Sequence, residues 1–370
     1  MSGRQVRSGR SARGSRDAAA RRAAASAAAP VAEPTDATSP DVVVVGTGPV
    51  AAGVLAAWGP RARALDEVPA SDPASALVGA RVVVLVAHPG DLAVVAGRRG
   101  PEGHAPAVAH AQRTFAAARE VKAEHVVVVT SAVVHGAHPD RPVVHDDEPL
   151  LSGARAVPDG LVGHLLAVEA VVARAARRRS PKVTVLRPAA LVGRGTDSFV
   201  TRHFEAPRLL VVRGSERPWQ LVHVDDVGAA SVFAVEHGLT GPLTVGPADV
   251  LTPTQVAAAA GMRTVELAAA TAFGTAERLH RVGVLPAPAA ELAYVVYPWT
   301  VAADGLTTAG FVPSYSSAAA LDVLLEGVRG RLALGGRRVE RRDAAALGAA
   351  GAAVALLGTA AIWRQARRRG

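Results

Sequence analysis

Short runs of branched apolar residues alternate with longer segments of helical periodicity through the chain after residue 40. The strands that these runs predict span 42–45, 63–65, 81–87, 125–130 and 183–186. The helices predicted between them span 53–58, 107–121 and 161–178. Continuous valine-rich strands separated by helices are typical of a parallel sheet that helices cover on both faces. The pattern therefore predicts an α/β fold with a doubly wound parallel sheet.

The pattern changes beyond residue 190. The predicted strands and helices become shorter and more irregular there, and prolines are frequent. Such elements fit a smaller lobe added at the carboxyl ends of the strands, which is where ligands collect in open α/β sheets. We therefore expect one domain over 41–327, with the smaller lobe mainly at 190–327.

The two ends of the chain differ from this middle part. Residues 1–40 are rich in Arg, Ala, Ser and Pro, and they lack the apolar run of roughly 7–15 residues that marks a secretory signal. This composition predicts a disordered tail. Residues 344–363 carry no charge, and a helix of about 20 apolar residues can cross a bilayer. A transmembrane helix is therefore a candidate there, and the alternative is a soluble Ala-rich helix packed on the body.

Basic segments flank this candidate helix. We predict a basic linker at 328–343 and a basic tail at 364–370, both rich in Arg. Trp363 lies where an interfacial aromatic residue is expected. Because no secretory signal is evident, the expected arrangement is a cytoplasmic domain anchored to the membrane by its C-terminal helix. The bias towards Ala, Gly, Val and Arg fits a bacterial protein.

The charge and the missing cysteines exclude several classes of function. The formal net charge is +9, but the excess of Arg lies in the two terminal segments and the middle of the chain is slightly acidic. Aromatic residues are scarce, so we expect no nucleic-acid partner. The chain has no cysteine, which excludes disulfides and thiolate chemistry. The His and acidic residues at 135–148 lack a recognised ligand spacing, so no metal site is predicted.

A glycine-rich turn follows the first predicted strand. Gly46, Gly48 and Ala51 fit the G-x-G-x-x-G/A fingerprint of dinucleotide-binding domains, between a strand and a helix as that fingerprint requires. The glycines permit a tight turn and close approach of a pyrophosphate, and the alanine permits close packing of helix on strand. The helix N-terminus offers amide donors to phosphate. The sequence thus predicts a Rossmann-like dinucleotide site.

Acidic residues beyond the second strand bear on which dinucleotide binds. Asp66 lies twenty residues after Gly46, where a carboxylate can bind the ribose hydroxyls and would repel a 2′-phosphate. Asp72 follows, where an acid could meet the adenine amino group. NAD is the predicted cofactor. The nearby Arg61 and Arg63 leave NADP possible.

Further stretches, in order along 41–327, resemble the extended short-chain dehydrogenase/reductase family, in its NAD-dependent epimerase/dehydratase branch. These stretches are VVVLVAH at 82–88, TSAVVHG at 130–136, VTVLRPAALVGRG at 183–195, LVHVDDVGAA at 221–230, LTVGPADVLT at 243–252 and AADGLTTAGFVP at 302–313. The resemblance implies NAD(P) binding, with His88 among the cofactor-binding residues, and a nucleotide-sugar-like substrate. Family members often pair through the helix that here contains Glu169, so a homodimer is a further expectation.

The chain departs from this family at the proton relay. In the family a Tyr and a Lys four residues later move the substrate proton, and a Ser orients the substrate oxygen. Ser131 matches the Ser, but Leu161 and Leu165 stand at the Tyr and Lys positions. His135 is the candidate substitute, because histidine can act as acid or base near neutral pH. His164, one helical step from position 165, is expected to be a partly exposed helix residue.

Arg187 ends a predicted buried strand and faces the expected cleft. It could clamp a diphosphate, as a substrate-binding residue, or form a structural ion pair. Two functions stay open. One is an atypical NAD(P)-dependent epimerase, dehydratase or reductase, and the other is a non-catalytic dinucleotide-binding sensor or scaffold at the membrane. The glycine pattern and Asp66 argue against a third, a membrane-bound structural protein that binds no dinucleotide.

Overall fold

The computed structural model describes residues 40–95, 100–151, 158–282, 285, 288–329, 331–334 and 337–340. The described helices are α1 Gly48–Trp58, α2 Gly100–Glu120, α3 Gly160–Ala176, α4 Phe199–Glu205, α5 Val224–Glu236, α6 Pro253–Ala260, α7 Ala269–Arg281, α8 Ala293–Val296, α9 Asp304–Thr308 and α10 Ser317–Val328. The described strands are β1 Val42–Val45, β2 Ala62–Leu65, β3 Val82–Val86, β4 His125–Val129, β5 Lys182–Pro188, β6 Ala190–Val192, β7 Leu209–Val212, β8 Leu221–His223, β9 Gly241–Val245, β10 Thr264–Leu267, β11 Arg331–Leu334 and β12 Arg337–Glu340.

Six parallel strands form the central sheet, in the order β2-β1-β3-β4-β5-β9. The valine runs of β1, β3 and β4 are fully buried because helices cover both faces of the sheet. The chain passes from the edge strand β2 across β1 to β3, so its direction of winding reverses between β1 and β3. Ligands of open α/β sheets bind at such a reversal. The predicted α/β class with a doubly wound parallel sheet is confirmed.

Two helices start earlier than the sequence pattern predicts. Helix α1 begins at Gly48 rather than 53, with a proline in its first turn, where the missing N–H costs no helical hydrogen bond. Helix α2 begins at Gly100 rather than 107 and contains Pro106 in its interior. The segment before Pro106 is helical despite the break that a proline usually makes. The first difference matters for function, because it places a helix N-terminus directly at the glycine-rich turn.

Helix α1 packs unusually close to helix α5. A Cβ on Gly53 would lie 2.9 Å from the carbonyl oxygen of Val224, and one on Gly228 would lie 2.5 Å from the carbonyl oxygen of Gly53. Farther along, the Trp58 indole donates a 2.9 Å hydrogen bond to the hydroxyl of Ser231. These contacts hold α1 against α5 and so fix the position of the N-terminus of α1.

Part of the chain after residue 190 belongs to the main layers of the fold rather than to the smaller lobe. Strands β6 and β8 pair in parallel, as do β7 and β10, and these pairs lie outside the central sheet. Helix α5 and strand β9, however, return to the main layers, and β9 completes the six-stranded sheet. A second small apolar cluster is centred on Val212, Ala272, Val295 and Val296. The predicted change at residue 190 therefore marks where the chain first forms a strand outside the central sheet.

The C-terminal segment contains a feature that the sequence pattern did not predict. Strands β11 and β12 pair antiparallel within the segment expected to be a basic linker. No helix within the described ranges is long and apolar enough to cross a bilayer. The predicted tail at 1–40, except for residue 40, and the predicted transmembrane helix at 344–363 lie outside the described residues.

The close helix contact yields a test of the fold. Replacing Gly228 by Ala would place a methyl group 2.5 Å from the Gly53 carbonyl oxygen and 2.8 Å from the Ala57 methyl. We expect Gly228→Ala to lower the free energy of unfolding by about 1–3 kcal/mol, as overpacking does, measured by urea denaturation. Gly274→Ala is the matched control, because a Cβ there meets nothing within 4 Å. That control should stabilise by up to about 1 kcal/mol; equal effects would contradict the contact.

Candidate functional site

A cleft of about 180 Å³ lies at the carboxyl ends of β1, β2 and β3, where the winding of the sheet reverses. Loops after all three strands contribute to it, and helices α2 and α3 close its far wall. The lining residues are Gly46, Thr47, Asp66, Glu67, Leu85, Val86, Ala87, Pro89, Val94, Pro106, Ala107, His110, Ala111, His164 and Val168. The cleft thus combines the glycine-rich turn and the acid that the sequence singled out.

The glycine-rich turn needs its glycines for packing as well as for conformation. Gly46 and Gly48 both have positive φ, at 133° and 89°, which L side chains rarely adopt. A Cβ on Gly48 would lie 2.4 Å from the carbonyl oxygen of Pro89, in the loop after β3. Ala51 is buried in the first turns of α1. Thr47 makes no side-chain cap, so the N-terminal amides of α1 keep their capacity for an anionic group.

The two predicted acids occupy different surroundings. Asp66 is exposed and lines the cleft beside Gly46, whereas Asp72 lies in an exposed turn outside the cleft lining. The two basic residues that left NADP possible are engaged elsewhere. Arg61 forms a two-point ion pair with Asp41, at 3.2 and 3.0 Å, and Arg63 donates to the carbonyl oxygen of Ala76.

Two buried histidines flank the inner end of this cleft. His88 accepts a hydrogen bond from the Gly90 amide at Nδ1, and burial lowers its pKa to about 4, helped by the nearby His164. His164 is buried and lines the cleft, and its Nε2 donates to the carbonyl oxygen of Ala87 at 3.1 Å. The expectation of a partly exposed His164 was wrong, because the N-terminal half of α3 is buried on nearly all of its faces.

Ser131 and His135 belong to one short 3-10 turn after β4. The Ser131 hydroxyl caps that turn by accepting from the Val133 amide, and it donates to the Pro188 carbonyl oxygen at 3.3 Å. Nδ1 of His135 donates to the Pro149 carbonyl oxygen, so its Nε2 carries the lone pair; that Nε2 is buried without a hydrogen-bond partner in the described structure. Burial lowers the pKa of His135 and keeps it neutral. Both side chains bind backbone atoms rather than each other.

Leu161 and Leu165, at the positions where the sequence resemblance places a Tyr and a Lys, have apolar surroundings. Leu161 lies in the first turn of α3 and Leu165 one turn later, at exposed fractions of 2% and 0%. Both belong to the main hydrophobic core. Neither can transfer a proton, and neither leaves a vacant polar position for another residue to fill.

Arg187 forms the ion pair that the sequence left as one of two possibilities. Its Nε and Nη2 donate to the two carboxylate oxygens of Glu169 at 2.9 and 3.0 Å, and both side chains are buried. The Thr130 hydroxyl donates to the same carboxylate, at 2.8 Å. The remaining guanidinium nitrogen, Nη1, donates to the Asp146 carbonyl oxygen at 3.4 Å, so the contacts favour the structural role.

A second and larger cleft, of about 620 Å³, lies on the other side of the N-terminus of α3. It is lined by Gly136, Ala137, Leu151, Pro158, Asp159, Val162, Glu277, His280, Arg281, Pro288, Ala289, Ala290, Glu291, Ala293 and Tyr294. The Tyr294 hydroxyl donates to the Val133 carbonyl oxygen at 2.8 Å, which ties this cleft to the turn that contains Ser131 and His135.

Glu291 is the buried carboxylate of this second cleft. Its Oε1 accepts from the Leu161 amide at 2.8 Å, and its Oε2 is buried without a hydrogen-bond partner within the described ranges. Burial raises the pKa of Glu291 to about 7, although the amides of Leu161 and Val162 oppose the shift. Sequence reasoning missed this residue. The available signal was a single acid within the otherwise uncharged segment 285–299.

Breaking the buried pair tests its structural role. We expect Glu169→Gln to lower the free energy of unfolding by about 3–5 kcal/mol, because it leaves the Arg187 guanidinium buried beside a neutral partner. The control is Glu124→Gln, which removes an exposed ion pair with Arg81 and should change stability little. Urea denaturation of both variants measures the difference. Similar small effects would show that Arg187 is not held by this pair.

The raised pKa of Glu291 predicts a pH dependence of stability. A carboxyl group whose pKa is higher in the folded than in the unfolded protein contributes fully to folding stability below its ordinary pKa of 4.5. This contribution is lost as the pH rises through 7. The free energy of unfolding should therefore fall by about 3 kcal/mol between pH 4.5 and above 7 from this group alone. Glu291→Gln should remove that component, as measured by urea denaturation across pH. Parallel profiles for the two proteins would contradict it.

Comparisons with known proteins agree with this architecture. No protein-family model matches the chain. The uncharacterized proteins Rv0501 of Mycobacterium tuberculosis and Mb0513 of Mycobacterium bovis are 29% identical to it over 154 residues, which is 41% of this chain. The match spans 40% of the length of each of these curated relatives.

Several solved structures share the fold. They include MoeE5 in complex with UDP-glucuronic acid and NAD (TM-score 0.55, 18% identity), covering 78% of this chain and 99% of that chain. UDP-N-acetylglucosamine 4-epimerase from Bacillus cereus has a TM-score of 0.54 and 15% identity, with coverage of 78% and 99%. A mutant of UDP-glucuronic acid 4-epimerase from Bacillus cereus, in complex with NAD and a fluorinated UDP-sugar, has a TM-score of 0.56 and 13% identity. The match covers 78% of this chain and 98% of that chain. The chain therefore has the Rossmann-like fold that these solved structures share.

Proposed function

We propose that the chain binds NAD in the first cleft. The pyrophosphate would rest at the N-terminal amides of α1, which Thr47 leaves uncapped, and Asp66 would bind the ribose hydroxyls. The single observation that carries this proposal is the joint lining of one cleft by Gly46, Thr47 and Asp66, where the winding of the sheet reverses. Solved neighbours of the same fold are complexes with NAD, which supports the proposal.

NAD fits this cleft better than NADP does. A 2′-phosphate beside Asp66 would meet a carboxylate, and a cation would be needed to offset that repulsion. Arg61 is held by Asp41, and Arg63 by a backbone carbonyl. Freeing either guanidinium would break an existing contact, so the geometry gives NADP no ready partner at these two residues.

We further propose a nucleotide-sugar-like substrate and chemistry of the epimerase/dehydratase kind. When bound, NAD supplies a hydride acceptor, and the chain's own residues orient the substrate. Ser131 and His135 are the candidate polar groups nearest the turn after β4, although both side chains bind backbone atoms. His135 is neutral and could accept a proton at Nε2. The relay would therefore be atypical. Pairing of two copies through α3 remains a prediction.

The alternative is a dinucleotide-binding protein without turnover. The observation that favours it is the burial of Leu161 and Leu165 in the main core, where the fold's proton relay is replaced by packing. Such a protein would keep the first cleft and report or retain its ligand. A scaffold role at a membrane would depend on residues 344–363, which lie outside the described residues.

The affinity for NAD tests the first cleft. We expect Asp66→Asn to weaken NAD binding about tenfold, since a carboxylate that accepts ribose hydroxyl bonds is worth roughly 1.5 kcal/mol more than a neutral acceptor. Affinity for NADP should be unchanged or improved, because the repulsion is removed. Isothermal titration calorimetry measures both. Asp72→Asn is the matched control, since Asp72 lies outside the cleft lining.

These variants are preferable to substitutions at Gly48. A side chain at Gly48 would collide with Pro89 whether or not a dinucleotide binds, so loss of binding there would not identify the site. Unchanged NAD affinity in Asp66→Asn, or equal losses in the two Asn variants, would contradict the proposed site. Mass spectrometry of ligands released from protein purified without added nucleotide gives an independent reading of the cofactor.

A further inference from the structure

The second cleft is lined by more acidic than basic side chains. Three of its lining residues are acids, namely Asp159, Glu277 and Glu291, and the lining also contains Arg281 and His280. Arg281 is already paired with Glu277 at 3.3 Å. The Nδ1 of His280 donates to the Leu285 carbonyl oxygen at 3.0 Å. The lining therefore presents more negative than positive charge to a ligand.

Of these three acids, Glu291 opposes a negatively charged ligand most strongly, because it is the least hydrated. Asp159 is half-buried and accepts from the Gly100 amide, and Glu277 is exposed and paired. Glu291 is 3% exposed and lacks a partner for Oε2 within the described structure. Coulombic repulsion is strongest where water is excluded. A second carboxylate brought into this cleft would therefore be opposed mainly by Glu291.

We propose that this cleft holds the sugar of a nucleotide-sugar ligand and that Glu291 selects a neutral sugar over a uronate. The inference rests on the proposed function and adds the class of sugar to it. A neutral sugar offers hydroxyl groups that can donate to a carboxylate, whereas a uronate brings a second negative charge into the same poorly solvated space.

Selection by a buried acid has a characteristic pH dependence. A uronate is accommodated best when Glu291 is protonated, so its binding takes up a proton and weakens as the pH rises above 7. A neutral sugar brings no second charge, and its hydroxyls donate to the ionised carboxylate, so its binding takes up no proton. The other groups facing the cleft are Asp159, Glu277, His280, Arg281 and Tyr294.

The experiment compares UDP-glucose and UDP-glucuronic acid, which differ at one carbon of the sugar. Each is titrated calorimetrically into the full-length protein saturated with NAD, from about pH 6 to 8.5, a range that brackets the ionisation of the buried acid. At the alkaline end we expect UDP-glucose to bind at least about tenfold more tightly, since like charges oppose each other at close range. The affinity for UDP-glucuronic acid should fall by up to about tenfold per pH unit above neutrality, with proton uptake detected by varying the buffer's ionisation enthalpy.

Variants assign the effect to one residue. Glu291→Gln keeps an acceptor for the Leu161 amide and should reduce both the discrimination and the proton uptake to near zero. Glu124→Gln, which removes an exposed carboxylate outside this cleft, should leave them almost unchanged. If discrimination and proton uptake persist in Glu291→Gln, His280 or another group causes them and the proposal fails.

Failure of this proposal is distinguishable from failure of the proposed function. Equal affinity for the two UDP-sugars, or tighter binding of UDP-glucuronic acid, would overturn the selectivity alone. Absence of binding by either UDP-sugar, with NAD binding intact, would overturn the nucleotide-sugar part of the proposed function and this inference with it.

Discussion

The position of helix α1 is the constraint on which the candidate site depends. Its N-terminus can lie at the end of β1 only because Gly48 lets the backbone approach the Pro89 carbonyl, and its middle can lie against α5 only because Gly53 and Gly228 lack side chains. These contacts act at separate points along one rigid helix. Interiors packed at crystal-like density transmit such constraints with little slack. The amides that face the first cleft are therefore held in place before any ligand arrives.

The core of the fold was predictable because the sheet is buried on both faces. Strands such as β1 and β3 must then be apolar throughout, and unbroken valine runs identify them. The lobe was less predictable, since its short strands pair with partners distant in sequence and its elements return to the main sheet through α5 and β9. Helix starts were also misplaced, because Pro106 lies inside a helix that tertiary packing maintains.

The candidate site was predictable only where a local motif determines it. The turn at Gly46 and the acid at Asp66 follow from spacing along neighbouring strands, and the structure brings them to one cleft. The partner of Arg187 could not be deduced, because Glu169 comes from the facing helix and sequence spacing does not reveal that contact. Glu291 was missed for the same reason. Its importance arises from the helix end that it meets, 130 residues earlier in the chain.

Two of the buried carboxylates, Glu169 and Glu291, differ in whether the protein offsets the cost of burying their charge. Glu169 is satisfied by Arg187 and Thr130, so its desolvation is offset within the protein. Glu291 receives backbone donors at one oxygen and no described partner at the other, so its charge remains costly and its pKa rises to about 7. A Lys placed at position 165 would face the opposite difficulty, because Leu165 is fully buried in the apolar core. The packing around α3 therefore excludes the cation of the usual relay while leaving a titratable acid at the same helix end. If the protein moves a proton, the group that does so therefore lies outside this helix.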